Sequence, residues 1–246
     1  QALGGLDRAG FVAKLKNAVL GGEDPESVVL LDLNPPSQKT YPDFVANKML
    51  TGVDAVCPTA LTKEGRRLFR EVDGKKVQVR RIYNRIVFDE LEVKGTELPF
   101  KYTDDLDVTW LSHPNWYWTW SKFTLPFIDH PAVPRARYLA DLDRDKAIPD
   151  DLASYVLKPL FSFAGSGVNV DPTRADVDAV PAEQRDKWLL QEKIVYEPGL
   201  LMPDGSGVKA EVRMMFLRGP DEAKLELVLN LVRLSRGKML GVDQNK

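Results

Sequence analysis

The sequence predicts a chain of mixed class, α/β followed by α+β, and three observations predict it. Residues 1–105 alternate helical and strand periods in the manner of a Rossmann-like unit. Residues 106–246 finish in two stretches whose apolar residues recur at every second position, the pattern of antiparallel strands. Where the two parts meet, residues 101–134 turn abruptly to aromatics and prolines.

The elements follow in order. Residues 11–20 (FVAKLKNAVL) place apolar side chains at helical spacing, and Gly21-Gly22 stops the run. Residues 27–33 (SVVLLDL) form a continuous apolar run ending on a carboxylate and an Asn-Pro-Pro turn, the signature of a buried parallel strand. Residues 42–50 read as the next helix and 55–58 as a second strand, while 62–69 suit either helix or strand. Asp73-Gly74 marks a tight turn, with strands expected at 77–79 and 82–87. Further on, 137–139 and 188–195 read as strands, and 139–151 as a charged helical stretch. The acidic, proline-broken residues 171–186 read as an exposed connection, and 210–216 and 225–235 as half-buried strands.

A chain of 246 residues can bury a substantial core. Its hydrophobic content of 43% and charged content of 28% are those of a globular protein. With 34 basic and 36 acidic residues the net charge is −2, which argues against nucleic-acid binding. No apolar run approaches the roughly 20 residues that span a bilayer, so no membrane partner is expected. Cys57 is the single cysteine, which suits a reducing compartment such as the cytoplasm.

His113 and His130 each precede a proline, with no cysteine or third histidine near either, so the spacing does not suit zinc. No Ser-His-Asp or Cys-His arrangement points to a nucleophilic enzyme. After the strand 27–33 there is no G-x-G-x-x-G, which disfavours a dinucleotide. The aromatics at Trp110, Trp116, Trp118 and Trp120 either pack the segment against a neighbouring element or offer a stacking platform; packing is the commoner fate. The string RRIYNR holds Arg80, Arg81, Asn84 and Arg85, candidates to face an anionic substrate or to act as interdomain glue.

Residues 155–170 (YVLKPLFSFAGSGVNV) carry the most chemistry. An apolar strand ends near Lys158, since Pro159 cannot donate to a ladder, and a loop with Gly165, Ser166 and Gly167 follows. A strand-end cation beside amides that approach a ligand closely suits a nucleotide phosphate, and a plain surface hairpin suits the same residues.

The order of segments narrows the choice. WSKFTLP comes first, then ARYL, VLKPLFSFAGSGV, LLQEKIV, EVRMMF, NLVRLSRG and GVDQNK. From about residue 110 onward this resembles the ATP-grasp superfamily, in its glutathione-synthetase-like and glutathionylspermidine-synthase-like branches. Residues 1–105 resemble the pre-ATP-grasp domain that precedes it, and 106–246 the ATP-grasp domain of two β-rich subdomains. The resemblance implies an ATP-dependent ligase that joins a small-molecule carboxylate to an amine, or to a thiol, through an acyl phosphate. A nucleotide-binding protein without chemistry and a phosphotransferase on the same fold are its rivals.

By the same resemblance, Lys122 and Lys158 are the nucleotide lysines, and Gly165, Ser166 and Gly167 belong to the loop over the phosphates. Gln191, Glu192, Lys193 and Ile194 form the adenine-side hinge, with Glu192 or Glu197 on the ribose. Arg213 faces the γ-phosphate or acyl phosphate, and Arg233 and Arg236 either clamp the acyl phosphate or the substrate carboxylate, both of which suit a guanidinium fork, or lie exposed. Mg²⁺ is implied as cofactor, on Asp243 and Asn245, whose spacing puts both on one face of a strand; they match a phosphate-facing turn as well. Glu211 and Glu226 are the other acids on candidate strands.

Overall fold

The computed structural model describes residues 4–86, 91, 94–162 and 165–237. It contains helices together with parallel and antiparallel sheets. The chain divides into two compact units, residues 1–116 with 213–231, and residues 117–212 with 232–246.

In the first unit, α1 (Arg8–Leu20) starts where Asp7 Oδ1 accepts from the Gly10 N–H at 2.7 Å. It ends at Gly21, whose φ of 60° lets its N–H return to the Asn17 carbonyl. Strand β1 (Val28–Leu31) is buried at all four positions, as a strand covered on both faces must be. Helix α2 (Tyr41–Thr51) carries the chain over to β2 (Asp54–Val56), which pairs parallel with β1. The ambiguous residues 62–69 resolve as strand: β3 (Thr62–Glu64), β4 (Arg67–Val72) and β5 (Lys75–Val79) form an antiparallel sheet of their own. Asp73 and Gly74, at φ 47° and 75°, make its turn. Strands β6 (Arg81–Asn84) and β7 (Thr109–Trp110) complete the parallel sheet in the order β2-β1-β6-β7.

The pleat divides this sheet between two cores. Val29, Leu31 and Ile82 pack with Leu68 and Phe100, and Trp110 joins that cluster. Val28 and Leu30 pack with Val19, Phe44 and Val53, under the helices. Residues 213–231 also belong to this unit, and there Lys14 Nζ lies 2.8 Å from both Glu222 and Glu226.

Arg81 is not the surface cation that RRIYNR suggests. It is buried, and its guanidinium donates to the carbonyls of Val19 (2.9 Å) and Ala18 (3.0 Å). Those carbonyls close α1, where the helix has no N–H of its own to satisfy them, so Arg81 is occupied with structure.

In the second unit, β8 (Ala136–Tyr138), β9 (Tyr155–Pro159) and β10 (Trp188–Glu192) form an antiparallel sheet with β10 in the middle. Strand β9 runs one residue beyond expectation, since Pro159 pairs with Trp188 as the final residue, where a missing N–H costs nothing. Helix α3 (Leu139–Arg144) follows β8 directly. The stretch 171–186 is not merely an exposed connection. It folds α4 (Arg174–Asp178), started by a capping box between Thr173 and Asp176, which buries Val177 completely. Leu139, Leu142, Leu157, Val177 and Leu190 make the core on this face of the sheet.

Strands β11 (Pro198–Leu201), β12 (Gly207–Leu217) and β13 (Glu226–Ser235) form a third antiparallel sheet, of which β11 was not anticipated. Its long strands are less covered than their alternation suggested. Val212, Met214, Met215 and Phe216 are all exposed, so side chains of both parities on β12 face outward. Among the described residues, no helix is long and apolar enough to cross a membrane.

Replacing Arg81 by Ala leaves two buried carbonyls without a donor. Urea denaturation should show a loss of about 2–3 kcal/mol, against almost none for Arg80→Ala, which is exposed.

Candidate functional site

The sheet of the second unit has two faces, and only one is fully used by helices. Leu157 and Leu190 point to the α3/α4 side, whereas Val156, Lys158, Leu189 and Gln191 point to the other. One part of that second face is filled by Ala136, Leu160 and Leu189 under Phe123 and Phe161. There Trp118 meets Phe161 edge-on at 5.1 Å and Phe123 at 5.5 Å, and the Tyr138 hydroxyl donates to the Phe123 carbonyl at 2.5 Å. These aromatics are packing elements, as is Trp110 in the first unit, 4.9 Å from His113.

The remainder of the face opens into a cleft of about 410 Å³, within the range of small-ligand sites. Val156, Lys158 and Gln191 line it from the sheet. Val168, Val170 and Asp171 line it from the segment after the glycine loop, residues 192–196 from the end of β10, and Lys209 and Glu211 from β12.

Lys158 is the central cation. Its Nζ donates to Gln191 Oε1 at 2.5 Å, and burial lowers its pKa from the ordinary 10.5. Gln191 is itself buried, with its Nε2 3.5 Å from the Pro134 carbonyl. Beyond it the chain leaves the sheet under tight restraint. The Glu192 N–H donates to the Arg135 carbonyl, and Glu192 Oε2 accepts from the Arg135 N–H at 3.1 Å. The Lys193 N–H donates to the Ser154 carbonyl, and its Nζ reaches the Ala153 carbonyl (2.7 Å) and Asp171 (2.9 Å). The next two N–H groups, of Ile194 and Val195, have no protein acceptor among the described residues. Two strapped positions followed by two open donors make a short recognition edge at the cleft.

Of the residues expected at a site, the structure brings Lys158, Gln191, Glu192, Lys193 and Ile194 together in this cleft. Glu192 lines it and Glu197 does not. Arg233 is 3.5 Å from Glu211, a lining residue, and so sits one ion pair away. Arg213 is exposed on β12 at the next position of the same parity as Lys209 and Glu211, within the stretch that groups with the first unit. Lys122 is not among the lining residues and bonds Ser162 Oγ at 2.6 Å.

Gly165, Ser166 and Gly167 are exposed and form the turn of a hairpin. In that hairpin Leu157 and Asn169 exchange both backbone hydrogen bonds at 2.9 Å. Gly165 and Gly167 hold φ values of 80° and 69°. A Cβ on Gly167 would lie 3.0 Å from the Pro159 ring. Asp243 and Asn245 lie outside the described residues.

Two charged lining residues, Lys209 and Asp171, carry no expectation from the sequence. Lys209 was legible, since K-A-E-V-R puts Lys209, Glu211 and Arg213 on one face of a strand. Asp171 had no signal, because only the return of the loop along β9 carries it to Lys193.

No family model matches the sequence, and no curated protein matches it. Among solved structures the chain is similar to a glutathione-synthetase-like effector from Globodera pallida, determined in the apo form, with a TM-score of 0.56 at 12% identity. The match covers 92% of this chain and 58% of that one, so the chain spans little more than half the length of that structure. At this identity the likeness shows a similar fold and nothing finer.

Lys158 binds fewer protons folded than unfolded wherever the pH lies between its lowered pKa and 10.5. Stability in that window therefore rises with pH. Relative to Lys158→Met, the wild type should gain stability as pH climbs from 7 towards 10.5 in paired urea titrations; a gap that widens against the wild type contradicts a desolvated ammonium.

Proposed function

We propose that the cleft holds the adenine end and phosphates of ATP, and that the protein is an ATP-dependent carboxylate–amine, or carboxylate–thiol, ligase of the ATP-grasp type. The observation that carries this reading is the pairing of one desolvated lysine on the cleft floor with a hinge that offers two open backbone N–H groups. The fold shared with a glutathione-synthetase-like protein supports it.

In the reaction proposed, a substrate carboxylate oxygen attacks the γ-phosphorus, and the bond to the β–γ bridging oxygen breaks, leaving ADP. The amine then attacks the acyl carbon, the carbon–oxygen bond to phosphate breaks, and the amine nitrogen gives up a proton. Such chemistry is promoted by positioning and by neutralising charge, with no covalent protein group required. Lys158 supplies a compact positive charge to the phosphates, strengthened by its removal from water. Ile194 and Val195 read the adenine edge through their N–H groups, and Glu192, fixed by Arg135, takes the ribose hydroxyls. Arg213 and Arg233 are proposed for the transferred phosphate, because guanidinium forks match phosphate oxygens. Lys122 and residues 165–167 complete the proposed phosphate end.

Among the described residues no group of three His, Cys, Asp or Glu side chains is placed to hold a metal. Asp171 and Glu211, two of the cleft carboxylates, are ion-paired with Lys193 and Arg233, and Glu192 accepts from the Arg135 N–H. The described residues therefore do not supply a Mg²⁺ site, and Asp243 and Asn245 remain the proposed ligands.

Calorimetry with a non-hydrolysable ATP analogue tests this reading. Saturable binding that strengthens with Mg²⁺, and weakens by about tenfold or more in Lys158→Ala, is expected for the loss of a charge-assisted contact. Binding indifferent to Mg²⁺ favours a nucleotide-binding protein without ligation, and no binding removes the ATP reading altogether.

A further inference from the structure

The parallel sheet of the first unit carries a second candidate site at its carboxyl-terminal edge. Its order is β2-β1-β6-β7, so the chain leaves β1 towards one side and β6 towards the other. The crevice between two such strand ends is where open parallel sheets bind ligands, because the connecting loops diverge there.

The register identifies what stands at that point. Leu31 pairs with Val56 on one side and with Asn84 on the other. The next rung is therefore Cys57, Asp32 and Arg85, side by side on three adjacent strand ends. Two hydrogen bonds hold it in line, from the Asp32 N–H to the Val56 carbonyl (3.2 Å) and from the Arg85 N–H to the Leu31 carbonyl (2.9 Å). Asp32 is buried, and its Oδ1 accepts from the Leu33 N–H at 2.7 Å. Asn34, at φ 43° and ψ 62°, then turns the chain sharply away from the sheet. Left-handed backbone at a residue other than glycine is a strain that clusters at binding sites.

Arg85 is the informative residue. It is only partly buried, and its guanidinium lies 5.2 Å from the centre of the buried Phe44 ring. Among the described residues it makes no ion pair and no side-chain hydrogen bond. The other two arginines at this sheet are occupied, Arg81 with α1 and Arg70 with the Glu26 carbonyl and Asp54. A guanidinium held over an aromatic ring, with no other side-chain partner among the described residues, keeps its donors available to a planar acceptor.

We propose that the β1/β6 edge binds the carboxylate group of a small-molecule substrate, with Arg85 as its partner. The neighbouring Asp32 carboxyl sets the charge preference, since a carboxyl beside the guanidinium disfavours a phosphate dianion more than a single negative charge. That this molecule is a substrate of the ligation rests on the function proposed above; the binding itself does not.

The edge is tested on the full chain without nucleotide, by backbone amide NMR titration with acetate, inorganic phosphate and ethylamine. Acetate should shift the amides of Leu33, Asn34 and Arg85 saturably, with affinity at least fivefold weaker in Arg85→Gln and unchanged in Lys158→Ala. Phosphate should bind less tightly than acetate, and ethylamine should leave these amides in place. Tighter binding of phosphate, equal acetate affinity in Arg85→Gln, or no saturable shift at these amides overturns the proposal. Since no nucleotide is present, each of those results stands apart from success or failure of the ATP reading.

Discussion

The second unit depends on β10. This strand is paired on both edges, with β8 and β9, and its alternation distributes three side chains among three jobs. Leu190 anchors the helical layer, Leu189 anchors the aromatic layer, and Gln191, on the same face as Leu189, becomes the floor of the cleft. A slip of one residue would exchange the faces, turning Leu189 and Gln191 towards the helical layer and Leu190 towards the cleft. The position of Lys158 follows from the same pairing, because its acceptor Gln191 lies diagonally across from it. The site is thus a consequence of sheet register before it is a matter of individual residues.

Desolvation is the theme shared by the charged groups of both units. Lys158 is held with a single side-chain acceptor in a place that disfavours its charge, and a polyanionic ligand would relieve that cost. Arg81 has reached the opposite arrangement, with its charge consumed by helix carbonyls. Cys57 is intermediate. Burial pushes its thiol up, but donation from the Thr59 hydroxyl and from the Asn34 and Thr59 N–H groups outweighs it, and the pKa lies below the ordinary value. These contrasts separate cations that are consumed by the fold from one that stays desolvated at a cleft.

Much of the architecture was legible because local chemistry and tertiary context agree. Gly21 closes α1, the apolar run 28–31 is buried on both faces, and Asp73-Gly74 turns a hairpin. That Gln191 to Ile194 stand together at the end of one strand was legible through motif order, which reflects the sheet that places them. Other features were not, for identifiable reasons. Residues 171–186 look like a loop because Asp and Pro dominate, yet a capping box and one buried valine suffice for a helix. Arg81 and Arg85 are indistinguishable in sequence; they share one face of the β6 strand, and only their places at its two ends put one under α1 and the other across Phe44. Residues 213–231 group with the first unit, where Glu222 meets Lys14, some 200 residues away, a contact that no local pattern encodes.

Photolabelling with 8-azido-ATP, followed by peptide mapping, tests the central claim most directly. If β10 and its hinge form the adenine-binding edge, the label will fall within residues 188–196 and will be suppressed by unmodified ATP. Labelling confined to residues 4–116, or labelling that ATP does not compete away, would contradict it.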